Sequence, residues 1–363
     1  MIGTRRARRN GLPRPSAPGI FGRGGEGNRN ARGAMPRDDG RTALGVDVGG
    51  TKTEILLAAQ GGRVLAETRI PTEPERGPAE TLRRAADAAR EAFGAAAGSA
   101  VAVGVSVAGQ VGPRGVLLGA PNLAGWPGAD VRRIAASAFG VPARVVNDVR
   151  AATWGEWRLG AGKGVRDLVV LFLGTGLGGG AVLGGRLLDG ADGIGGEFGH
   201  LTVMAGGRRC TCGNTGCLEA YCGGWGIEAR ARDAALADPV AGATLLGLAG
   251  SPEGITGQAI AAALKGGDPL ARRVMDETGE VLGAAVVGLV NALNPRRVIM
   301  GGGVLDGFPQ LMDRAAAIVR ERALPAARGV SFARAGLADD APALGAADLA
   351  LARLRSRAGV TAT

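Results

Sequence analysis

The residues with the clearest chemistry in this sequence are one histidine and three cysteines that lie close together. His200 is the only histidine in 363 residues, and Cys210, Cys212 and Cys217 follow it at spacings that short turns can bridge. Imidazole and thiolate groups in such a pattern are typical ligands of a tetrahedral zinc ion. Unrelated buried thiols beside a core histidine are the alternative, but they leave the clustering unexplained. The sequence therefore predicts a closed structural zinc site.

The fourth cysteine and a possible disulfide offer alternatives to the predicted zinc site. Cys222 is either a small core residue or a substitute ligand. A disulfide is a further alternative, although Cys210 and Cys212 are too close in sequence for an easy bridge. Thiols that bind a metal indicate a reducing compartment.

Two carboxylates lie on either side of the predicted zinc site. Glu197 comes three residues before His200, and Glu219 comes two residues after Cys217. Four protein ligands leave no open coordination position, so we expect the metal to fix loops rather than to activate water. Rigidly held carboxylates can bind sugar hydroxyl groups, whereas the plainer alternative is two solvated surface glutamates.

Two glycine-rich turns are each flanked by apolar runs, over residues 44–59 and 169–183. Neither fits a standard phosphate motif. A P-loop requires glycine where Thr51 precedes Lys52, and a dinucleotide fold requires a helix where a second apolar run follows Gly179. Both therefore predict a β-hairpin whose backbone amides and threonine hydroxyls can hold phosphate oxygens. Two such hairpins that face each other would bind one nucleotide between them.

A third glycine cluster follows the predicted buried strand 297–300 and is expected to lie against the nucleotide. At the end of the first strand, a carboxylate is placed to hold magnesium through water. The predicted nucleotide-binding residues are Asp47, Gly49, Gly50, Thr51, Lys52, Thr53, Gly174, Thr175, Gly176, Gly301, Gly302 and Gly303.

Polar residues also follow two other predicted elements. Asn147 and Asp148 come between the strand 143–146 and a helix, where an aspartate is either a functional group or a helix N-cap. Asn122 precedes Trp126 in a loop. An amide and an aromatic ring suit a sugar, and the alternative is a turn with a core tryptophan.

At 363 residues the chain is long enough for two domains. Because aromatic residues are only 3 % of the sequence, we expect a core of Ala, Val and Leu. No apolar run is long enough to span a membrane, and no secretion signal opens the chain, so we expect a cytoplasmic protein. Residues 1–40 contribute +6 of the +10 net charge and read as a disordered basic leader. The leader either contacts anionic surfaces through charge or is dispensable, with Met35 as the true start.

Together these segments, from about residue 43 to 355, resemble the ROK family of sugar kinases and repressors. The residues that carry the resemblance are Asp47 to Thr53, Asn147-Asp148, Gly174 to Gly180 and the segment from Gly196 to Glu219. The resemblance implies an α/β fold of the actin-like ATPase (ribonuclease H-like) type, with two domains and a central cleft. We expect the domains to be residues 41–147, completed by a helix over 346–363, and residues 148–345.

The resemblance also implies roles for single residues. Asp148 matches the catalytic aspartate, and the positions matching sugar contacts are Asn122, Asn147, Glu197, His200 and Glu219. It implies zinc at His200, Cys210, Cys212 and Cys217, with ATP as phosphate donor and a homodimer or homotetramer. Magnesium, assisted by Asp47, is expected to bridge the β and γ phosphates. The expected reaction is phosphorylation of the 6-hydroxyl of a hexose, with glucose favoured and fructose or N-acetylhexosamines as alternatives. Polyphosphate is left open as an additional donor.

Two interpretations from other classes are weaker. A sugar-responsive repressor needs a helix-turn-helix domain, and the Gly- and Arg-rich residues 1–40 lack the apolar periodicity to build one. A zinc module that binds nucleic acid is disfavoured because Glu197 and Glu219 would repel phosphate.

Overall fold

The computed structural model describes residues 40–359, with side chains described to residue 354. The predicted disordered leader lies outside the described residues except for Gly40, and so do residues 360–363 of the predicted last helix.

The described residues form a mixed α/β structure. The strands are β1 (Thr42–Val48), β2 (Lys52–Ala59), β3 (Val64–Pro71), β4 (Ala100–Val107), β5 (Gln110–Val111), β6 (Leu117–Gly119), β7 (Ala143–Asn147), β8 (Leu168–Leu173), β9 (Leu177–Leu183), β10 (Arg186–Leu187), β11 (Arg297–Gly301) and β12 (Ser331–Arg334). The helices are α1 (Gly77–Phe93), α2 (Ala95–Gly98), α3 (Val131–Phe139), α4 (Asp148–Arg158), α5 (Glu219–Cys222), α6 (Gly224–Ala237), α7 (Ala243–Ala249), α8 (Gly257–Lys265), α9 (Pro269–Leu293), α10 (Gly303–Gly307), α11 (Gln310–Arg322) and α12 (Ala341–Gly359).

Ten of these strands form two sheets with the same order. The first sheet runs β3-β2-β1-β4-β7, and the second runs β10-β9-β8-β11-β12. In each sheet an antiparallel hairpin, β1 with β2 or β8 with β9, is followed by two parallel strands. Both glycine-rich turns are thus hairpin turns, as the sequence predicts.

The strands follow from the apolar pattern of the chain. Val46, Val48 and Ile55 of the central strands β1 and β2 are fully buried. Strand β3, at one edge, instead alternates half-buried and exposed residues, as expected of a strand with one covered face. The second sheet is likewise centred on β8, in which only Phe172 is not fully buried.

Helices cover both faces of each sheet, so the apolar strands are removed from water on two sides. The first sheet packs against α1 and α3 on one face and α12 on the other. The second packs against a group that includes α6, α9 and α11 on one face and against residues of α4 on the other. As predicted, Ala, Val and Leu dominate these cores.

Helix α12 approaches the first sheet closely because two strand residues have no side chain. A Cβ atom on Gly45 would come within 2.1 Å of Ala343 O, and one on Gly104 within 1.9 Å of Ala346 O. The same helix also packs on α4, where a Cβ on Gly345 would come within 1.9 Å of Ala151 O. Any side chain at these glycines would force the backbones apart.

Some predicted helix bounds are wrong. The sequence predicts single helices over 78–97 and around 218–236. The first is interrupted at Gly94, which has a φ of 55°, and the second at Gly223. The last helix begins at Ala341 rather than at 345 or 346. The division into domains 41–147 and 148–345 stays a prediction. None of the helices within the described residues is long and apolar enough to cross a membrane.

Candidate active site

The first candidate carboxylate, Asp47, lies near the end of β1. The hydroxyl of Ser106 on the neighbouring strand β4 donates a 2.7 Å hydrogen bond to Asp47 Oδ1. Burial is the main cause that raises the pKa of Asp47 from 3.8 to about 6, and the charge of Glu54 raises it further, whereas Ser106 and Lys52 lower it. A cation beside this carboxyl group would favour its ionised form.

The first glycine-rich turn begins directly after β1. It is closed by a 3.1 Å hydrogen bond from Gly49 N to Lys52 O. The Thr72 hydroxyl donates a 2.8 Å hydrogen bond to Gly49 O and lies 2.9 Å from the Thr53 hydroxyl. Thr53 is fully buried, whereas Thr51 and Lys52 are exposed at the tip. Of these residues, it is therefore Thr51 and Lys52 that the fold presents to a ligand.

Asn122 lies against this turn. A Cβ atom on Gly50 would come within 2.9 Å of Asn122 Cβ, so glycine lets the turn approach the loop. Asn122 itself is exposed. Trp126 is fully buried, and its Nε1 donates a 3.0 Å hydrogen bond to Pro74 O. Of the two interpretations, Trp126 is a core residue and does not cover a sugar face.

Asn147 and Asp148 mark the point where β7 passes into α4. Asn147 is the N-cap, because its Oδ1 accepts a 3.0 Å hydrogen bond from Arg150 N. The alternative in which Asp148 is the cap is therefore wrong. The Asn147 Nδ2 donates to Gly109 O at 3.1 Å and to Asp148 Oδ1 at 2.8 Å.

Asp148 is thus held through one oxygen. Its Oδ1 also accepts a 2.9 Å hydrogen bond from Val149 N, and among the described residues Oδ2 has no hydrogen-bond partner. Burial raises the pKa of Asp148 from 3.8 to about 7, and the charges of Asp47 and Glu197 contribute to the increase. A half-ionised carboxylate with one open oxygen can accept a proton near neutral pH.

Glu197 lies in the loop that precedes the four predicted metal ligands. Burial raises the pKa of Glu197, the charges of His200 and Arg150 lower it, and that of Glu219 raises it. Arg150, on the helix that begins with Asp148, donates hydrogen bonds to Gly193 O and Asp189 in the same loop. Sequence reasoning missed this arginine, which connects α4 to the Glu197 loop.

Glu219 connects the zinc segment to the second glycine-rich turn. Its Oε2 accepts a 2.9 Å hydrogen bond from Leu177 N, and a Cβ atom on Gly176 would come within 2.5 Å of the same oxygen. The turn is closed by a 3.0 Å hydrogen bond from Gly174 N to Gly176 O. Since Glu197 is also partly buried, the alternative of two solvated surface glutamates is wrong.

The structure brings the four predicted metal ligands together. One ligand atom each from His200, Cys210, Cys212 and Cys217 lies within 4.8 Å of the others, and all three thiols are free. The His200 Nδ1 lies 3.8 Å from Cys210 Sγ, and Cys212 Sγ lies 3.7 Å from Cys217 Sγ. Burial is the main cause that raises the pKa of Cys210 to about 12. Burial also raises the pKa of Cys217, whereas the backbone hydrogen bond from Asn214 is the main cause that lowers the pKa of Cys212. The two buried thiols would therefore ionise readily only beside a cation.

Cys222 does not belong to this group. It is fully buried, and its Sγ lies 3.6 Å from Thr278 O on α9. Of the two interpretations, it is a core residue rather than a substitute ligand.

The second turn borders a cavity of about 540 Å³. Gly174, Thr175 and Gly303, three of the residues predicted to bind the nucleotide, line it. Sequence reasoning missed the helical side of the same cavity, where Glu228 and Gln258 are the polar side chains. Glu228 Oε1 accepts a 2.8 Å hydrogen bond from Gly257 N, which fixes this carboxylate at the rim. Such a volume is typical of small-molecule sites.

The remaining glycines of the third cluster line a second cavity. Gly301 and Gly302 border a space of about 330 Å³ that also reaches Asp148. Gly302 has a φ of 96°, and a Cβ atom there would come within 2.5 Å of Leu173 O. The glycine triplet therefore lies between a candidate nucleotide cavity and the candidate base.

The contacts connect most of the predicted residues into one group. The charge of Asp47 acts on the pKa of Asp148, that of Glu197 also acts on the pKa of Asp148, and those of His200 and Glu219 act on the pKa of Glu197. Glu219 reaches the second turn through its hydrogen bond to Leu177 N. Asn122 is not part of this series, since the contact that places it is with the first turn.

Known proteins resemble most of this chain. The profile of the ROK family matches residues 43–353. A glucokinase of Streptomyces coelicolor is 35% identical over 274 residues, which are 74% of this chain and 84% of that protein. A glucokinase of Thermotoga maritima is 33% identical over 313 residues, or 86% of this chain and 98% of that one. The crystal structure of a ROK family glucokinase from Streptomyces griseus, in complex with glucose and AMPPNP, superposes with a TM-score of 0.70 at 36% identity and covers 86% of this chain and 99% of that chain.

Proposed function

Because the chain belongs to the ROK family, we propose that it is an ATP-dependent hexose kinase that phosphorylates the 6-hydroxyl of glucose. The chain has the actin-like ATPase fold, and its relatives named above are glucokinases. The observation that carries the proposal is the position of Asp148, whose carboxyl group is influenced by the charges of Asp47 and Glu197 and borders a cavity that reaches Gly301 and Gly302.

Asp148 would act as the general base. An alcohol is a far weaker acid than a carboxylic acid, so the proton must move to Asp148 as the oxygen attacks phosphorus and not before. The hydrogen bonds from Asn147 Nδ2 and Val149 N fix Oδ1, and Oδ2 is left to receive the proton. A pKa near 7 keeps much of this carboxyl group ionised at neutral pH.

Asp47 would hold magnesium through water. The fit rests on its burial and on the nearby charge of Glu54, which together disfavour an uncompensated anion. When bound, the ion supplies positive charge to the β and γ phosphates. The exposed Thr51 and Lys52 at the first turn would contact the same phosphates.

Glu197, Glu219 and His200 would bind the sugar hydroxyl groups. In this arrangement the His200 Nδ1 faces the thiols, and its other nitrogen is available to the sugar. Asn122 would close the sugar site from the first turn. Asn147 already uses both ends of its amide, so we propose that it acts on the sugar mainly by orienting Asp148.

ATP would occupy the cavity of about 540 Å³ beside the second turn. Gly174 and Thr175 offer backbone close to the phosphates, and Gly303 lets a helix terminus approach the nucleotide. Glu228 and Gln258 are the side chains of this cavity that can accept or donate hydrogen bonds to the ribose or base.

Zinc would occupy the thiol and imidazole group. The four ligand atoms match the donor set of a closed structural site, and Asn214 Nδ2 donates a 3.5 Å hydrogen bond to Cys217 Sγ from outside it. Since Thr211 and Cys210 also contact Glu219 Oε1, a bound ion would make the sugar carboxylate rigid.

A coupled assay over a substrate panel tests the proposal. With ATP as donor, we expect kcat/KM to be highest for glucose among glucose, fructose, mannose and N-acetylglucosamine. A preference for another sugar would overturn the glucose assignment, and no turnover of any hexose would overturn the kinase. Polyphosphate in place of ATP tests the donor. The cytoplasmic location and the homodimer or homotetramer stay predictions.

A further inference from the structure

A second charged pocket lies away from the candidate active site, at the open edge of the first sheet. It is a cavity of about 620 Å³ between α3, the edge strand β7 and α12, and we call it the edge pocket. Four arginines line it, namely Arg132 and Arg133 from α3, Arg144 from β7 and Arg353 from α12. The position of these residues on three separate elements means that the fold, and not a local run of sequence, gathers the charges.

Among the described residues that line the edge pocket, one is acidic and four are arginines. Asp130 is the N-cap of α3, and its Oδ1 accepts a 2.9 Å hydrogen bond from Arg133 N. Among the arginines, Arg132 donates its Nε to Arg114 O at 2.9 Å, so its fork is partly oriented by the backbone. The lining therefore has a clear excess of positive charge.

Arg144 is the most distinctive member of the group. Its side chain is partly buried, and its Nε is inaccessible to water and has no hydrogen-bond partner among the described residues. A buried donor without an acceptor is destabilising, and an acceptor from a ligand would remove this cost.

The electrostatics of Arg144 agree with this geometry. Burial is the main cause that lowers the pKa of Arg144, and the charge of Arg353 lowers it further. Asp189 acts in the opposite direction, whereas Arg150 and Arg132 add to the decrease. A ligand with two or more negative charges would relieve the repulsion between these guanidinium groups.

The rest of the lining is apolar and indicates an organic ligand rather than a bare ion. Pro142, Ala350 and Leu354 are among the residues that border the cavity. A volume of about 620 Å³ exceeds what inorganic phosphate needs and lies within the range of small-molecule sites. Arginine forks match the oxygens of a phosphate group in pairs.

We propose that the edge pocket binds a small phosphorylated metabolite, with its phosphate group between Arg144 and Arg353 and its organic part against the apolar lining. The site is separate from the candidate active site, but its Arg144 lies on β7, the strand that leads into the candidate base. Arg144 and Asp148 are four residues apart along β7 and its continuation, which corresponds to about 13 Å for an extended chain.

Calorimetric titration with inorganic pyrophosphate tests the proposal on the full-length protein. We expect the double variant Arg144→Gln/Arg353→Gln to weaken one binding site by at least about tenfold, because charge-assisted hydrogen bonds to two guanidinium groups are lost. The matched control is Arg63→Gln/Arg320→Gln, which removes the same charge from exposed positions on other elements and should titrate as the wild type does. Identical isotherms for the wild type and the Arg144/Arg353 variant would overturn the proposal.

Two single variants guard against a loss that reflects misfolding. Arg353 is exposed on α12, and Arg353→Gln should weaken pyrophosphate binding, while its urea midpoint, measured in parallel, shows whether the variant is fully folded. Arg144→Lys should retain part of the affinity, since it keeps the charge and loses the fork. Unchanged binding in a fully folded Arg353→Gln would contradict the assignment. Titrations with glucose 6-phosphate and AMP then distinguish a sugar phosphate from a nucleotide. If Arg144→Gln binds both ligands as tightly as the wild type does, this site does not bind a phosphorylated metabolite.

Discussion

The two sheets of this protein share one strand order, but their strand ends carry different chemistry. In the first sheet, β1 carries Asp47 two residues before its glycine-rich turn, and β7 runs into Asp148. In the second sheet, β8 carries Phe172 two residues before its turn, and β12 runs into Ala335 and then Gly336. The first sheet therefore supplies ionisable groups at the positions where the second sheet supplies none.

This difference shows how a duplicated backbone can divide the work of one site. The strand ends and turns are placed alike in both halves, so the side chains decide what each half contributes. In the second half, strand β11 packs closely against its neighbours at Gly301, because a Cβ atom there would come within 2.6 Å of Ala335 Cβ and 3.2 Å of Phe172. Under the proposed function, the first half handles the proton and the metal, and the second half handles the nucleotide.

The strongest test of the division is Asp148→Asn. We expect kcat to fall by about 10³-fold, since a general base contributes 10² to 10⁴, with glucose binding still measurable by calorimetry. Asp339 borders the same cavity from the second half and is exposed, so Asp339→Asn is the matched control and should keep the wild-type kcat. An Asp148→Asn variant that retains a tenth of the wild-type rate would refute the base assignment.

The next largest change in kcat is expected from substitutions at corresponding positions of the two hairpins. Asp47→Asn should lower kcat by about 10²-fold and raise the magnesium concentration needed for half-maximal rate, because it removes a charge that faces the metal. Phe172→Leu at the corresponding position should change kcat less than about threefold, since it keeps an apolar side chain and removes no charged group. Steady-state assays over a magnesium series measure both, and equal losses in the two variants would remove the distinction between the halves.

Metal loss tests the part of the second half that reaches the sugar. Cys212→Ala should release zinc, raise the KM for glucose by about tenfold and lower Tm, because Glu219 loses its rigid support. Cys222→Ala is the control, and atomic absorption should show that it keeps its zinc. If KM and Tm stay unchanged in a Cys212→Ala protein shown to be metal-free, the zinc assignment is wrong.

The smallest effect is a pH dependence of stability. The pKa of Asp148 is raised to about 7 from 3.8, so this carboxyl group binds its proton more tightly in the folded protein than in the unfolded chain. Its contribution to stability is complete below pH 4 and is lost as pH rises through 7. In urea titrations without magnesium, Asp148→Asn should match the wild type near pH 4 and exceed it by at least about 1 kcal/mol at pH 8, since each unit of pKa shift corresponds to about 1.4 kcal/mol. A difference that is constant with pH would contradict the raised pKa.

Local patterns in the sequence were enough to predict the hairpins and the grouping of His200 with three cysteines. Apolar runs on either side of the turns at Gly49 and Gly174 predict strand, turn and strand. Thiols that are close in sequence and joined by short turns are also expected to be close in space. Two adjacent residues that both cap helices well cannot be ranked from sequence, so only the structure identifies Asn147 rather than Asp148 as the N-cap. Trp126 is likewise decided by a contact with Pro74, which is distant in sequence.

The parts that sequence reasoning missed all depend on contacts between distant elements. Glu228 and Gln258 reach the nucleotide cavity from two different helices, and neither stands in a recognisable motif. Arg150 was overlooked because its partner Asp189 belongs to a loop with no apolar pattern. The edge pocket combines Arg144 with Arg353, which only the return of α12 to the first sheet brings together.

The packing of α12 on the first sheet has a consequence for synthesis on the ribosome. The face of that sheet that carries Leu56 and Ala102 is covered by Ala343 and Leu344, which are translated long after the strands themselves. A nascent chain therefore carries an apolar, uncovered sheet through most of its elongation, during which chaperones can bind it. Substituting Gly104 should leave this face of the sheet exposed in the released protein as well, because a side chain there would prevent α12 from packing closely on it.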